Sequence, residues 1–190
     1  MLGSKQADTF TSMQLHALPW QEIELDLQIA CAELWEMVWP TGTGDTNARL
    51  HKMETRCAEL AGDLVHMAFD HSDRLVAVAR TFEHTISYGS ADLDIMGLAS
   101  VCSDPNRRGE GYGDGVVRAA FERVEAAQRL ALFQTPAPEF YERFGSRLIE
   151  NNIVTSKPGA KPFADPWAMI HPGLTEWDDD VTVDLRIAGW

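Results

Sequence analysis

Cysteine is scarce in this 190-residue chain: Cys31, Cys57 and Cys102 are the whole supply. Their spacing fits no metal-ligand pattern, and an odd count does not build a disulfide framework, so neither a metal centre nor a stapled scaffold is expected. Long hydrophobic runs are missing as well. Nothing approaches the ~20 apolar residues of a membrane span. Met1-Leu2-Gly3-Ser4-Lys5-Gln6-Ala7-Asp8 has neither the basic start nor the apolar stretch of a signal peptide. The expectation is a cytoplasmic protein with no membrane partner. Positive charge is short too, with 16 Lys and Arg against 29 Asp and Glu and a net charge of -13. Phosphate backbones are held by clustered Lys and Arg, which argues against nucleic acid as a partner. The same acidity keeps a protein soluble, and it would steer a cationic small molecule toward a cleft. Internal repeats and low-complexity segments are absent.

What is present is ordinary for one soluble domain over 1–190: 45% hydrophobic and 24% charged residues. Phe10 to Leu18 reads as a strand ended by Pro19. From Gln21 to Trp39, helical spacing puts Ile23, Leu27, Ala30, Leu34, Trp35 and Val38 on one face, and Pro40 with Gly42 and Gly44 ends the helix. Thr46 or Asn47 caps a second helix carrying Leu50, Met53, Cys57 and Leu60. Leu64 to Phe69, Leu75 to Ser87 and Asp92 to Ser103 read as strands joined by tight turns. A helix over Val116 to Val124 then leads to a strand over Leu130 to Gln134. Further strands are expected at Leu148 to Thr155 and Val181 to Ile187, with a proline-rich passage, Lys157 to Pro172, between them and Asp178-Asp179-Asp180 as a solvated turn. Hairpins followed by a strand–helix–strand crossover give an α/β (α+β) fold with a mixed sheet and helices on its faces.

The stretch Pro105-Asn106-Arg107-Arg108-Gly109-Glu110-Gly111-Tyr112-Gly113 carries the most chemistry. It lies between an apolar strand and a helix start, where unpaired backbone N–H groups meet the positive end of the helix dipole and bind phosphate. Asp114 stands where a nucleotide-triphosphate loop needs Lys, and glycines at 109, 111, 113 and 115 do not keep dinucleotide-fold spacing. Arg-x-x-Gly-x-Gly, read as Arg108, Gly111 and Gly113, resembles the acyl-CoA pyrophosphate loop of the GNAT superfamily of N-acyltransferases. A second match lies downstream. Gln134-Thr135-Pro136-Ala137-Pro138-Glu139-Phe140-Tyr141-Glu142-Arg143-Phe144-Gly145 keeps the spacing of the family's Asn-x-x-Ala-x-x-(apolar)-Tyr-Glu-(Lys/Arg)-x-Gly segment. Gln134 replaces the usual Asn and can still offer an amide, and Ser146 replaces an aromatic residue.

The resemblance implies a mostly antiparallel sheet with a central splayed parallel pair, Ile95 to Ser103 and Leu130 to Gln134, that admits acetyl-CoA as cosubstrate. It implies cofactor contacts from Val101, Cys102 and Ser103, from the loop Arg108, Gly109, Glu110, Gly111, Tyr112, Gly113 and Asp114, and from Gln134. Backbone of Val101 and Ser103 would pair with the cofactor much as an added strand does. Strand alternation sends Cys102 into the core as an inert thiol. Tyr141 matches the family tyrosine that protonates the departing sulfur. The general base is open. Positions where relatives carry Glu read Gly97 and Ala99, and Asp94, Glu83, His84 or an ordered water are the alternatives. The loop Pro40 to Asn47 falls where relatives close over the acceptor, and it is either such a lid or a plain connector.

The function implied is N-acetyl transfer to a small cationic amine. The rival is a non-catalytic acyl-CoA-binding or sensor module. The acidic turn and the final strand leading to Trp190 also look loosely like the aminoglycoside 2'-N-acetyltransferase branch. Trp190 otherwise reads as a cap on the core, and a homodimer is compatible with all of this.

Overall fold

The computed structural model describes residues 13–40, 46–59 and 62–190. Alternating apolar runs joined by tight turns fold as an antiparallel meander. β1 (Gln14–Pro19), β2 (Leu64–Phe69), β3 (Leu75–Tyr88) and β4 (Ala91–Ser103) pair in chain order. The β2–β3 turn is pinned by the Asp70 carboxylate, which accepts the N–H groups of Ser72 at 2.9 Å and Arg74 at 3.2 Å. Helices α1 (Leu25–Val38) and α2 (Thr46–Glu59) separate β1 from β2. After β4, α3 (Tyr112–Ala126) carries the chain back to β5 (Ala131–Thr135), parallel to β4 as a crossover requires. Then follow α4 (Pro138–Glu142), β6 (Arg147–Ile149), β7 (Ile153–Val154), β8 (Trp167–His171) and β9 (Val183–Asp184). The sheet runs β1-β2-β3-β4-β5-β8-β6, with β9 against the end of β3 and beside β7.

Period-two burial divides the core between the two faces. On one, Cys31, Leu34 and Trp35 of α1 pack with Val65, Met67 and Val78. On the other, Val116, Val117, Ala120, Phe121 and Val124 of α3 cover Ala68, Ala77, Ala79, Met96 and Leu98. Burying each of Val116, Val117 and Phe121 contributes about 1.5–3 kcal/mol, so packing rather than helix propensity holds α3 in place. A third cluster joins Phe82, Ile95, Ala99, Leu132, Ile170 and Trp190.

One irregularity in β4 matters for the site. Val78 faces Cys102 across the ladder but Arg80 faces Ala99, so β4 carries an extra residue there, and Ser100 sits at φ 53°. Ahead of this bulge Met96 and Leu98 face α3; beyond it Val101 packs with the α3 cluster and Cys102 with the α1 cluster. The Ser100 carbonyl accepts the Trp35 indole N–H at 3.2 Å, anchoring the bulge to α1.

The later strands depart from the sequence expectation. Leu148 to Thr155 is not one strand: it divides into β6 and β7, because Asn151 turns the chain by donating to the carbonyls of Asp178 at 2.9 Å and Val181 at 2.7 Å. The proline-rich passage holds β8, which the prolines bracket at 166 and 172 without interrupting. Val181 to Ile187 shortens to β9. The first helix begins at Leu25 after a 3-10 turn over Trp20–Glu22, and β1 includes Pro19, tolerated at the end of an edge strand. Most of the loop Pro40 to Asn47, residues 41–45, lies outside the described residues, as do residues 10–12 of the expected first strand.

Candidate active site

β4 and β5 pair only at Met96↔Ala131 and Gly97↔Leu132, and then diverge. The gap opens into a cavity of about 1000 Å³, walled by Leu98 to Ser103 on one side and Phe133 to Ala137 on the other. Trp190 closes the fork. Its indole N–H donates to the Leu132 carbonyl at 3.2 Å, and its ring stands edge-on to Phe82 at 5.2 Å and Phe163 at 4.9 Å. The Phe82 ring also explains Gly97: a Cβ there would lie 2.2 Å from it. No carboxylate fits on β4 at 97, and Ala99 is packed into the same apolar cluster.

The mouth of the gap is the N-terminus of α3. Gly109 and Gly111 have φ of 84° and 87°, a region that L side chains occupy at a cost of about 1–2 kcal/mol. Apart from each glycine's own chain neighbours, no atom of the described residues lies within 4 Å of where their Cβ atoms would be, so the loop leaves open space before it. The first helical bond runs from Gly115 N–H to the Gly111 carbonyl at 3.0 Å, and no side chain caps the helix. The N–H groups of Tyr112, Gly113 and Asp114 therefore have no intrahelical acceptor. Arg108 is exposed and lines the cavity, without an ion pair among the described residues. Uncapped donors, an exposed guanidinium and an open cradle fit the charge and bulk of a pyrophosphate.

Arg107 fixes this loop to the sheet. Its guanidinium reaches Asp70 at 2.7 Å, Glu110 at 2.8 Å and the Tyr112 hydroxyl at 3.1 Å. The Ser72 N–H and the Arg107 guanidinium hold the Asp70 carboxyl well below the ordinary carboxylate range, at about 2. Asp104, buried under the loop, accepts the Asn106 N–H at 2.9 Å and pairs with Arg74. Beside the helix start, Asp114 pairs with Arg143 at 3.0 Å, and that guanidinium lies over the Phe140 ring at 4.8 Å.

Tyr141 reaches the same cavity from α4, wedged between Phe133 at 4.7 Å and Phe140 at 4.9 Å. Burial pushes its phenol far above the usual range; the hydrogen bond with Thr135 works against this, and the negative charge of Asp165 adds to it. The group keeps its proton at any physiological pH, so it can act as an acid and not as a base.

Of the residues singled out in the sequence, Val101, Cys102, Ser103, Arg108, Gly109, Gly111, Tyr112, Gly113, Asp114, Gln134 and Tyr141 line one cavity. Glu110 does not; it turns back to Arg107. Gln134 lines the wall, but its amide is engaged. Oε1 accepts the N–H groups of Ala164 at 2.6 Å and Asp165 at 2.7 Å, and Nε2 donates to the Trp190 carbonyl. The amide oxygen and one amide N–H are thus committed within the protein. The base candidates also fall elsewhere: Glu83 pairs with Arg129 at 3.1 Å, His84 donates Nε2–H to the Leu185 carbonyl at 2.7 Å, and Asp94 accepts the Thr85 hydroxyl at 2.6 Å. None of the three lines the cavity. Sequence reasoning passed over Trp39, Arg107, Arg143 and Asp165, all of which line it. Arg107 adjoins the glycine loop, but only the fold reveals its partner Asp70.

A sequence model described as an acetyltransferase (GNAT) domain matches residues 22–149. Among solved structures, a GNAT family N-acetyltransferase from Escherichia coli in complex with CoA superposes with a TM-score of 0.62 at 17% identity, covering 95% of this chain and 93% of that one. A GNAT family acetyltransferase from Brucella melitensis in complex with acetyl-CoA gives 0.52 at 18% identity, over 70% of this chain and 83% of that one. A GCN5-related N-acetyltransferase from Kribbella flavida gives 0.57 at 16% identity over 72% of this chain, which spans only 33% of that protein's length. No curated protein sequence matches. No described helix is long and apolar enough to cross a membrane. With the family's sequence pattern running through well over half of its residues, and with the family's splayed central strands, this chain belongs to the GNAT acetyltransferases.

Proposed function

We propose that the protein is an acetyl-CoA-dependent N-acetyltransferase acting on a small cationic amine. One observation carries this reading: the β4–β5 fork, the uncapped start of α3 and the Tyr141 phenol open into one cavity. The α3 N–H groups and Arg108 would hold the pyrophosphate, and the unpaired edge of β4 from Val101 to Ser103 would take the pantetheine amides. When bound, the cosubstrate supplies an acetyl thioester. The amine would attack in its neutral form, and as the C–N bond forms and the C–S electron pair leaves on sulfur, Tyr141 would protonate that sulfur while the proton lost from the nitrogen returns to the tyrosinate through solvent. A group in that role contributes about 10² to 10⁴ in rate.

The test has two parts. Calorimetry should show CoA binding to the wild type, with a large loss in Gly111→Val. Thiol release from acetyl-CoA should appear with at least one member of a panel of polyamines, aminoglycosides and amino acids. A sensor module is the second reading, favoured by Phe82 filling the space where β4 would carry a carboxylate. CoA binding with no thiol release across the panel would select it.

A further inference from the structure

The carboxylate missing from β4 has a substitute on the opposite wall. Asp165 lies on the loop before β8 and lines the cavity with Trp39, Trp190 and Tyr141. Of the two side-chain carboxylates on the lining, Asp114 is neutralised by Arg143, whereas Asp165 has no cationic partner among the described residues. Its backbone is held in place. The Gln134 amide oxygen takes the N–H groups of both Ala164 and Asp165, while the amide nitrogen ties the same knot to the Trp190 carbonyl. Two N–H donors converging on one side-chain atom also settle which end of that amide is oxygen. Asp165 and Tyr141 share one electrostatic compartment, since the Asp165 charge opposes ionisation of the phenol. A negative charge and the phenol proposed to assist the leaving sulfur therefore line the same cavity.

We propose that Asp165, positioned by Gln134, receives an ammonium group of the acceptor other than the neutral nitrogen that attacks the thioester, and so selects cationic amines, with Trp39 and Trp190 forming apolar walls for the carbon chain. This rests on the acetyltransferase reading above. Asp165 is exposed and so partly screened by solvent and salt, and the expected effect is moderate. Gln134 acts through Asp165 and is a positioning residue. Its side chain is one methylene longer than the Asn usual in the family motif, and that length reaches the 164–165 loop.

The experiment compares wild type, Asp165→Asn, Asp165→Glu and Gln134→Ala in CoA affinity by calorimetry and in thiol release with spermidine, with the other amines of the panel, and with a neutral hydroxylamine as an uncharged acceptor. The expected result for Asp165→Asn is an acceptor KM about tenfold higher for cationic amines, with kcat and CoA affinity near wild type and no change for the uncharged acceptor. Asp165→Glu recovers part of the loss, and Gln134→Ala shows a smaller loss in the same direction. Raising the salt concentration should shrink the difference between wild type and Asp165→Asn. Equal KM values in wild type and Asp165→Asn, in an enzyme that binds CoA and releases thiol, would overturn the assignment of Asp165 alone. Failure of the wild type to release thiol with every amine overturns the acetyltransferase reading, and this assignment with it.

Discussion

The donor side of the cavity is wired and the acceptor side is assembled. Around the glycine loop, Asp70, Arg107, Glu110 and Tyr112 form one network, and buried Asp104 holds the turn beneath it. These residues lie within a short stretch of chain plus one turn, and they order the loop before any ligand arrives. The acceptor side draws on Trp39 at the end of α1, Asp165 before β8 and Trp190 beyond β9, the last two tied together by one glutamine amide. Trp39 on that side remains 45% exposed. Preorganisation reduces the ordering cost of binding, and it suits a group shared by every turnover. A looser wall suits a substrate that differs from one family member to the next.

The comparison can be broken most severely at the group the two sides share. Tyr141→Phe should lower kcat by about 10² to 10⁴ while losing no more than about 1 kcal/mol of stability, read from thiol release beside a thermal melt. Unchanged turnover would mean that the phenol only fills space. On the donor side, Gly111→Val forces a β-branched residue to φ 87° and should reduce CoA affinity about a hundredfold, whereas Gly111→Asn, which tolerates that region, should lose far less. Equal losses in calorimetry would show that the conformation of residue 111 does not govern binding. Arg107→Ala frees the loop and should weaken CoA about tenfold with an unchanged acceptor KM. A rise in that KM instead would erase the distinction between the two sides.

The smallest effect expected is on acid stability. The folded-state Asp70 titrates near 2, below the ~4 of an unfolded chain. Its contribution is therefore complete above pH ~4 and disappears as pH falls toward 2. Melting temperatures of wild type and Asp70→Asn should differ at pH 6 and converge near pH 2; a constant gap would show that this carboxylate's charge is irrelevant to the fold.

The donor side was legible in the sequence because its signal is local. Glycines spaced after a strand and before a helix state both conformation and function, and Tyr141 falls at a fixed distance along a second motif. The acceptor side was not, because its members are far apart in the chain and none belongs to a motif. The motif places Gln134 at the cofactor, and only the fold shows that its extra methylene carries the amide oxygen to the 164–165 loop. Strand β8 was hidden by Pro166 and Pro172, which signal a loop by composition although they stand outside the paired residues. The missing strand carboxylate was visible as Gly97, while its cause, the Phe82 ring of the neighbouring strand, needed the register of β3 against β4.

The extra residue at Ser100 behaves like a frame shift in a two-letter script. A strand assigns its residues to two sides by parity, so one added position exchanges the sides of everything after it. Deleting Ser100 would restore strict alternation with Val101 still toward α3 and Cys102 still toward α1, and it would remove the carbonyl that accepts the Trp35 indole N–H. It would also return the strand edge to a regular ladder that β5 could follow further. A single-codon loss there should therefore do more damage than most substitutions in the cavity, although Ser100 is an ordinary small polar residue in the linear sequence.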